Sequence, residues 1–233
     1  MAMNPVVDRQ EWIEARKRFL EEEKDFTRRR DALSARRREL PWVRIDTDYQ
    51  FEGPEGHVSL DDLFGPRSQL LVYHFMFAPE WEKPCKSCSF WADGYNGVTA
   101  HLEQRDTRLV AISRAPREKL VARARTMGWT FPWYTGSREF NEEFGVSFDP
   151  DAVAAGRAEY NYRPTSTKMS GLPGLSAFVK RDGEVFHTYS CYARGLDILN
   201  PAYNLLDVTA LGRQEEGLPM AMSWVRLRDE YPS

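Results

Sequence analysis

Residues 70–102 read LLVYHFMFAPEWEKPCKSCSFWADGYNGVTAHL, and this stretch decides the fold. It opens with an apolar run that predicts a buried strand, and a proline-containing loop then leads to Cys85-Lys86-Ser87-Cys88. From Cys88 to Leu102 apolar residues recur at helical spacing, so the cysteine pair marks the start of a helix. We expect a break near Asp93-Gly94, because glycine costs about 1 kcal/mol relative to alanine inside a helix.

The Cys-x-x-Cys motif has the arrangement that thiol–disulfide exchange requires. A helix N-terminus stabilises a thiolate, and Lys83 and Lys86 add positive charge that lowers the pKa of the Cys85 thiol further. Cys85, at the helix tip, is the exposed sulfur. We therefore predict a catalytic pair in which Cys85 attacks a disulfide and Cys88, one turn further, resolves the mixed disulfide.

The same two cysteines also fit half of a zinc site, which needs a second pair of ligands. The redox interpretation is favoured, because the remaining candidate ligands form no pair at short spacing, and we predict no metal site. We interpret Cys191 as a small buried apolar residue. The remaining candidates are Cys191, His57, His74, His101 and His187.

Composition excludes several classes of protein. The chain has 233 residues, 42% of them hydrophobic, and a formal net charge of −3, which argues against a general nucleic-acid binder. Three cysteines are an odd number, which indicates a reducing compartment rather than a disulfide framework. The first residues lack the apolar core of a signal peptide, and no run approaches the roughly 20 apolar residues of a membrane span. These features predict a soluble cytoplasmic protein with no nucleic-acid or membrane partner.

An N-terminal helical arm, residues 1–41, precedes the predicted domain. Residues 8–40 have the pattern of one helix, capped by Asp8 and stopped by Pro41. One apolar residue per heptad provides only half of a coiled-coil seam. Two interpretations stay open: a solvated arm that lies on its own domain, and a helix that forms a homodimer with a second copy. The apolar residues that recur every seven positions are Trp12, Phe19, Phe26, Leu33 and Leu40.

The rest of the chain predicts an α/β domain over residues 42–192 and a C-terminal extension over residues 193–233. A strand at 107–113 follows the helix that carries the cysteines, which predicts a parallel β-α-β unit. Residues 171–186 contain a proline, a strand, an Asp-Gly turn and a return strand, which predicts an antiparallel hairpin. Residues 149–170 have no clear period, and we interpret them as an insertion within the domain.

Longer motifs give the chain a family resemblance. They are Trp-x-x-x-Cys-x-Ser-Cys-Ser-Phe-Trp-Ala-Asp from Trp81, Val-Ala-Ile-Ser-Arg-Ala-Pro from Val110, Met-Gly-Trp-Thr-Phe-Pro-Trp from Met127 and Tyr-Ala-Arg-Gly-Leu-Asp from Tyr192. With these motifs the chain resembles, over nearly its whole length, a bacterial thioredoxin-like family known as domain of unknown function eight-nine-nine. The resemblance implies a thioredoxin-like fold of the peroxiredoxin-type variant, with a central mixed sheet flanked by helices. It also implies a dithiol-disulfide oxidoreductase, for which we predict no cofactor.

The resemblance also bears on the predicted substrate groove. Thioredoxins carry a similar proline before a strand, where it is cis, lies beside the dithiol and helps to receive the substrate chain. Leu172 and Pro173 match that position, so the resemblance implies a cis Pro173 and substrate contacts from both residues. We also predict a substrate contact from Trp81, the tryptophan nearest to the cysteine motif on its N-terminal side. The alternative is an ordinary trans proline at the start of an edge strand. Pro84 and the Lys-Ser dipeptide depart from thioredoxin, so its thiol pKa and reduction potential do not carry over.

The sequence therefore predicts an enzyme, a thiol–disulfide oxidoreductase whose partner is a protein or small-molecule thiol or disulfide. Two other functions remain open. A thiol peroxidase would use a similar fold, but the peroxiredoxin signature is absent, because Lys83 and Lys86 stand at its Thr/Ser and Cys steps after Pro79. A metal-binding module for copper or zinc would use the two cysteines together with His187 or His101.

Overall fold

The computed structural model describes residues 4–232, and the chain divides after Pro41 into two units. The first unit contains one helix, α1 (Arg9–Arg37). Asp8 caps this helix, because its Oδ1 accepts a hydrogen bond from the Glu11 amide at 2.8 Å. The predicted helix and its cap are confirmed, although the helix ends at Arg37 rather than at residue 40. No residue of α1 is buried.

The second unit begins at Trp42 and contains, among the described residues, ten strands. Two of them, Gln69–His74 and Thr107–Ser113, coincide with apolar runs of the sequence, as expected for strands that are covered on both faces. The strands are β1 (Val43–Arg44), β2 (Gln50–Gly53), β3 (Gly56–Ser59), β4 (Gln69–His74), β5 (Thr107–Ser113), β6 (Trp133–Gly136), β7 (Glu159–Tyr160), β8 (Arg163–Pro164), β9 (Gly174–Arg181) and β10 (Glu184–Tyr192).

Eight of these strands form one mixed sheet in the order β1-β10-β9-β4-β5-β6-β2-β3. Strands β4, β5 and β6 run parallel to one another, whereas β9 and β10 form an antiparallel hairpin on the other side of β4. This hairpin turns at Asp182 and Gly183, which both have positive φ, as an Asp-Gly turn requires. The parallel unit, the hairpin and the mixed sheet confirm the predicted thioredoxin-like fold.

Helices connect the strands and flank the sheet. None of the helices within residues 4–232 combines the length and the apolar character needed to cross a membrane. The 149–170 insertion holds one short helix together with the β7–β8 pair. The helices after α1 are α2 (Lys86–Tyr95), α3 (Thr99–Glu103), α4 (Arg117–Met127), α5 (Arg138–Glu143), α6 (Pro150–Ala154) and α7 (Pro201–Leu206), with short 3-10 helices at Asp62–Phe64, Ala193–Leu199 and Arg228–Glu230.

The predicted break in the helix after the cysteines is present, but it lies further along than Asp93-Gly94. Helix α2 continues to Tyr95, and Gly97, with φ of +95°, makes the turn before α3 begins at Thr99. Gly94 stays inside α2 for a packing reason: a Cβ atom there would lie 2.6 Å from the Cδ of Pro201. The glycine therefore allows α7 to approach α2 closely.

The central strands have apolar side chains on both faces, which explains their continuous apolar sequence. In β4, Tyr73 faces the same core as α2, whereas Leu70 and Val72 face a second core that contains Phe140 of α5. His74 follows this alternation and stacks near Phe144 on the second side. The end of β4 therefore carries a buried imidazole next to the loop that leads to the cysteines.

Candidate active site

Cys85 occupies the N-cap position of α2. Its sulfur accepts a hydrogen bond from the backbone amide of Cys88 at 3.5 Å, so the thiol serves as the capping acceptor of the helix. The backbone of Cys85 is fixed as well, because its amide donates to the Met76 carbonyl and its carbonyl accepts from the Ser89 amide, each at 3.0 Å. Cys85 is half-buried, whereas Cys88 is only 2% exposed. The structure thus brings the two predicted catalytic residues together at the helix start.

The two thiols have opposite acidities. A hydrogen bond from the Cys88 thiol, helped by the amides of Cys88 and Ser87 and by the charge of Lys86, lowers the pKa of Cys85 from 9.0 to about 6 despite its burial. Burial raises the pKa of Cys88 well above 9.0, and the hydrogen bond to Cys85 acts in the same direction. Near neutral pH the pair therefore holds one thiolate, on Cys85, and one thiol, on Cys88.

One of the two flanking lysines, Lys86, acts on this thiolate as predicted. The charge of Lys86 lowers the pKa of Cys85, and its Nζ also donates to the carbonyl of Ser223 at 3.2 Å. Lys83 instead forms an ion pair with Glu230, with Nζ and Oε1 2.5 Å apart. The contribution of Lys83 to the Cys85 thiolate stays a prediction, because an exposed ion pair does not cancel the charge of a lysine.

A cavity of about 260 Å³ lies beside the loop that joins β4 to the cysteines. Trp81 and Leu172, two of the predicted substrate-binding residues, both line it. Pro173 stands next to Leu172, and its carbonyl accepts a hydrogen bond from the Tyr160 hydroxyl at 2.7 Å. The cavity is lined by His74, Phe75, Met76, Phe77, Ala78, Trp81, Arg114, Asn141, Val146, Ser147, Met169, Ser170, Gly171 and Leu172.

The prediction of a cis Pro173 is wrong. No cis peptide bond occurs within residues 4–232, so the Leu172–Pro173 bond is trans. The physical reason is the pairing of the segment before β9 with residues 146–148. The Leu172 amide donates to the Val146 carbonyl at 2.9 Å, and the Phe148 amide donates to the Ser170 carbonyl at 3.0 Å. The chain is therefore already extended when it reaches Pro173 and runs on directly into β9.

Four polar side chains on the neighbouring strands β4, β9 and β10 form a hydrogen-bonded network that begins at the cavity. The sequence analysis did not predict this network. His74 Nε2 shares a hydrogen bond with Ser176 Oγ, Ser176 Oγ with Ser190 Oγ, and Ser190 Oγ with His187 Nε2, each at 2.8 Å. Burial lowers the pKa of His74 to about 3, so its imidazole is neutral. The available signal was a histidine and serines in otherwise apolar strands, since buried polar groups need partners.

The remaining candidate ligands do not converge on the dithiol. Residues 4–232 contain no group of three or more His, Cys, Asp or Glu side chains placed to share one metal ion. Cys191 is 8% exposed and belongs to the core on the α2 side of the sheet, as expected for a small buried apolar residue.

Two solved structures and one family model are similar to this chain. The peroxidoxin BcpB from Mycobacterium tuberculosis is similar to this chain with 12% identity and a TM-score of 0.45, over 69% of this chain and 93% of that chain. A cysteine-to-serine mutant of peroxiredoxin Q from Xanthomonas campestris has 12% identity and a TM-score of 0.45, over 72% of this chain and 96% of that chain. No curated protein matches significantly. The model of one family, by contrast, matches residues 1–231. The chain therefore belongs to the family described as bacterial protein of unknown function (DUF899).

Proposed function

We propose that this protein is a thiol–disulfide oxidoreductase in which Cys85 attacks and Cys88 resolves. One observation carries the proposal: two sulfurs one helical turn apart have opposite pKa shifts, with the pKa of Cys85 lowered to about 6 and that of Cys88 raised. The more accessible sulfur is the thiolate, which is the nucleophile in disulfide exchange, and the buried sulfur holds a proton until it is needed.

The reaction has two steps. In the first step the Cys85 thiolate attacks one sulfur of a substrate disulfide, forms a mixed disulfide and releases the other half of the substrate as a thiolate. Loss of the Cys85 negative charge removes the hydrogen bond and the repulsion that raise the pKa of Cys88. In the second step Cys88 gives its proton to the released thiolate or to solvent and attacks the Cys85 sulfur, which forms the Cys85–Cys88 disulfide and releases the second substrate thiolate. Two electrons pass to the substrate, and an external dithiol restores the Cys85–Cys88 pair.

The substrate in this proposal is a disulfide of a protein or of a small molecule. No cofactor is needed, because the electrons move between sulfur atoms. A reducing compartment such as the cytoplasm would supply the dithiol that regenerates the pair.

A redox titration with thiol mapping tests the proposal. The protein is equilibrated in thiol–disulfide buffers of graded potential, the free thiols are alkylated, and the labelled peptides are identified by mass. We expect a reversible two-electron couple between Cys85 and Cys88, in the range of roughly −270 to −180 mV known for thioredoxin and protein disulfide isomerase. Cys191→Ser should leave the couple unchanged, Cys85→Ser should abolish it, and Cys88→Ser should trap a mixed disulfide on Cys85. Absence of a Cys85–Cys88 disulfide at every potential would contradict the proposal.

A thiol peroxidase is the second candidate, because a half-buried thiolate with a pKa of about 6 is also the group that attacks a peroxide. Addition of hydrogen peroxide to the reduced protein separates the two functions. If the reduced protein reacts faster with hydrogen peroxide than with small-molecule disulfides, the peroxidase is favoured.

A metal-binding module would be favoured by stoichiometric copper or zinc in the purified protein. This metal should be lost in Cys85→Ser and retained in Cys191→Ser.

A further inference from the structure

The cavity beside the loop that follows β4 is lined by apolar residues and a few polar ones. Its lining includes the apolar residues Phe75, Met76 and Trp81 and the polar residues Arg114 and Ser147. A volume of about 260 Å³ suits one small ring or a short aliphatic group. This mixture is typical of a site for a small molecule with a single polar end.

The guanidinium of Arg114 is not held in an ion pair within the described part of the chain. It follows the last residue of β5 and is half-buried, and among residues 4–232 it makes neither a hydrogen bond nor an ion pair. Arg114 has a weaker charge interaction with Glu139. The pKa of Glu139 is lowered mainly by hydrogen bonds from the Glu139 amide and from Ser137, and the charges of Arg138 and Arg114 contribute less. A half-buried guanidinium with no ion pair, and with only a weak charge interaction with Glu139, favours an anionic ligand in a largely apolar cavity.

The cavity and the dithiol share Met76. The carbonyl of Met76 accepts the hydrogen bond from the Cys85 amide at 3.0 Å, and its own amide donates to the Cys88 sulfur. Trp81 is held in the same loop, because Lys119 Nζ donates to its carbonyl at 2.9 Å. Cys85 is therefore joined by a backbone hydrogen bond to one residue of the cavity lining.

We infer that this cavity binds the carboxylate-bearing half of a small organic disulfide, with Arg114 as the counter-ion of the carboxylate. The inference rests on the proposed function and names its substrate class. The planar guanidinium pairs with a carboxylate through two hydrogen bonds, and the aromatic side chains hold the rest of that half. The Cys85 thiolate then attacks one sulfur of this disulfide and displaces the other half as a thiolate. Cys88 then gives its proton to the released thiolate or to solvent and attacks the Cys85 sulfur, which forms the Cys85–Cys88 disulfide and displaces the bound half as a thiolate.

Two disulfide probes test the inference: dithiobis(nitrobenzoate), whose two halves each carry a carboxylate, and dithiodipyridine, which carries none. The second-order rate constants of both are measured on the reduced full-length protein, on Arg114→Gln and on Arg125→Gln. Arg125 is an exposed arginine of α4, and its replacement removes the same charge outside the cavity. We expect Arg114→Gln to slow dithiobis(nitrobenzoate) about tenfold or more, as for the loss of a hydrogen bond to a charged group. The dithiodipyridine rate should stay within about twofold, and Arg125→Gln should leave both rates unchanged.

A competition experiment on the unsubstituted protein makes the test independent of variant folding. Benzoate should slow the reaction of dithiobis(nitrobenzoate), whereas benzamide, the same ring without the charge, should not. Equal loss of both probe rates in Arg114→Gln, equal loss in Arg125→Gln, or equal effects of benzoate and benzamide would overturn the inference. Failure of both probes to oxidise the Cys85–Cys88 pair would instead overturn the proposed function, so the two failures are distinguishable.

Discussion

Helices α1 and α2 have the same kind of sequence pattern, but the apolar face is exposed in α1 and buried in α2. Each has an apolar stripe at helical spacing. In α2 the stripe is covered, with Cys88 2% and Trp91 5% exposed, whereas in α1 Trp12 is 48% and Phe26 65% exposed. The pattern therefore predicts which face of a helix is apolar, and long-range packing decides whether that face is covered.

The N-caps of the two helices differ in the same way, because one is exposed and the other is half-buried. Asp8 caps α1 through a carboxylate that is exposed to solvent, and this contact serves the helix alone. Cys85 caps α2 through its sulfur, and the same geometry stabilises a thiolate because the site is half-buried and the Cys88 thiol donates to it. The same capping interaction can therefore stabilise a reactive group when the capping residue is a cysteine and its surroundings exclude water.

The largest effect is expected from replacing one tryptophan in each stripe. Trp91→Ala should lower the free energy of unfolding by about 3–5 kcal/mol, since it leaves a cavity and removes the hydrogen bond from Trp91 Nε1 to the Leu196 carbonyl. Trp12→Ala should change it by less than about 0.5 kcal/mol. Urea unfolding followed by near-ultraviolet circular dichroism measures both values. Equal losses in the two variants would show that the α1 stripe is also covered.

The next largest effect concerns the pH dependence of the α2 cap. Because the pKa of Cys85 is about 6 in the folded protein, its rate of alkylation by iodoacetamide should be half-maximal near pH 6 and fall about tenfold per pH unit below that. Cys88 should stay unlabelled until the protein unfolds, because it is buried and its pKa is raised. Peptide mapping after timed labelling reads both rates. A half-maximal rate near pH 9 would show that the cap does not stabilise the thiolate.

The same shift links the stability of the reduced protein to pH. The folded pKa of Cys85 lies below its ordinary value of 9.0, so the thiolate stabilises the fold fully above pH 9. This contribution is lost as the pH falls from 9 to about 6. In Cys85→Ser this part of the pH dependence should disappear, whereas Cys191→Ser should keep it.

Local patterns were enough to predict the elements that hold the site. The apolar run from Leu70 predicted β4, and the apolar pattern of residues 107–113 predicted β5. The strand–helix–strand order predicted that β4 and β5 pair in parallel, and the Cys-x-x-Cys motif placed Cys85 at the start of α2. Each of these follows from short-range periodicity and from the steric rule on crossover connections.

Contacts between distant positions could not be predicted in this way. Lys83 meets Glu230, which lies 147 positions further along the chain, and His74 meets Ser176 after 102 positions. The trans Pro173 depends on pairing of its segment with residues 146–148, a stretch that has no strand pattern of its own. Periodicity reports which side chains are apolar, but the partner of a particular polar group is fixed only by the packed fold.

A smaller effect is expected at the exposed cap of α1. Asp8→Ala should lower the stability of the helix by about 1 kcal/mol, because the Glu11 amide loses its acceptor. Asp8→Asn retains an acceptor oxygen and should cost little. Hydrogen exchange at the first turn of α1 measures the local change, while the alkylation rate of Cys85 serves as an internal control. A parallel loss of Cys85 reactivity would contradict the separation of the two caps.

The smallest effect on the domain is expected from the α1 stripe itself. We expect the arm to associate with a second copy of the chain, because a helix with exposed Trp12, Phe19 and Phe26 on one heptad stripe gains by covering them. Phe26→Ala should shift the sedimentation of the full chain towards the monomer and change domain unfolding by less than about 0.5 kcal/mol. Lys24→Ala, an exposed position off the stripe, should sediment like the unsubstituted chain. If the chain sediments as a monomer at every concentration, the interpretation of α1 as a solvated arm is favoured over the homodimer.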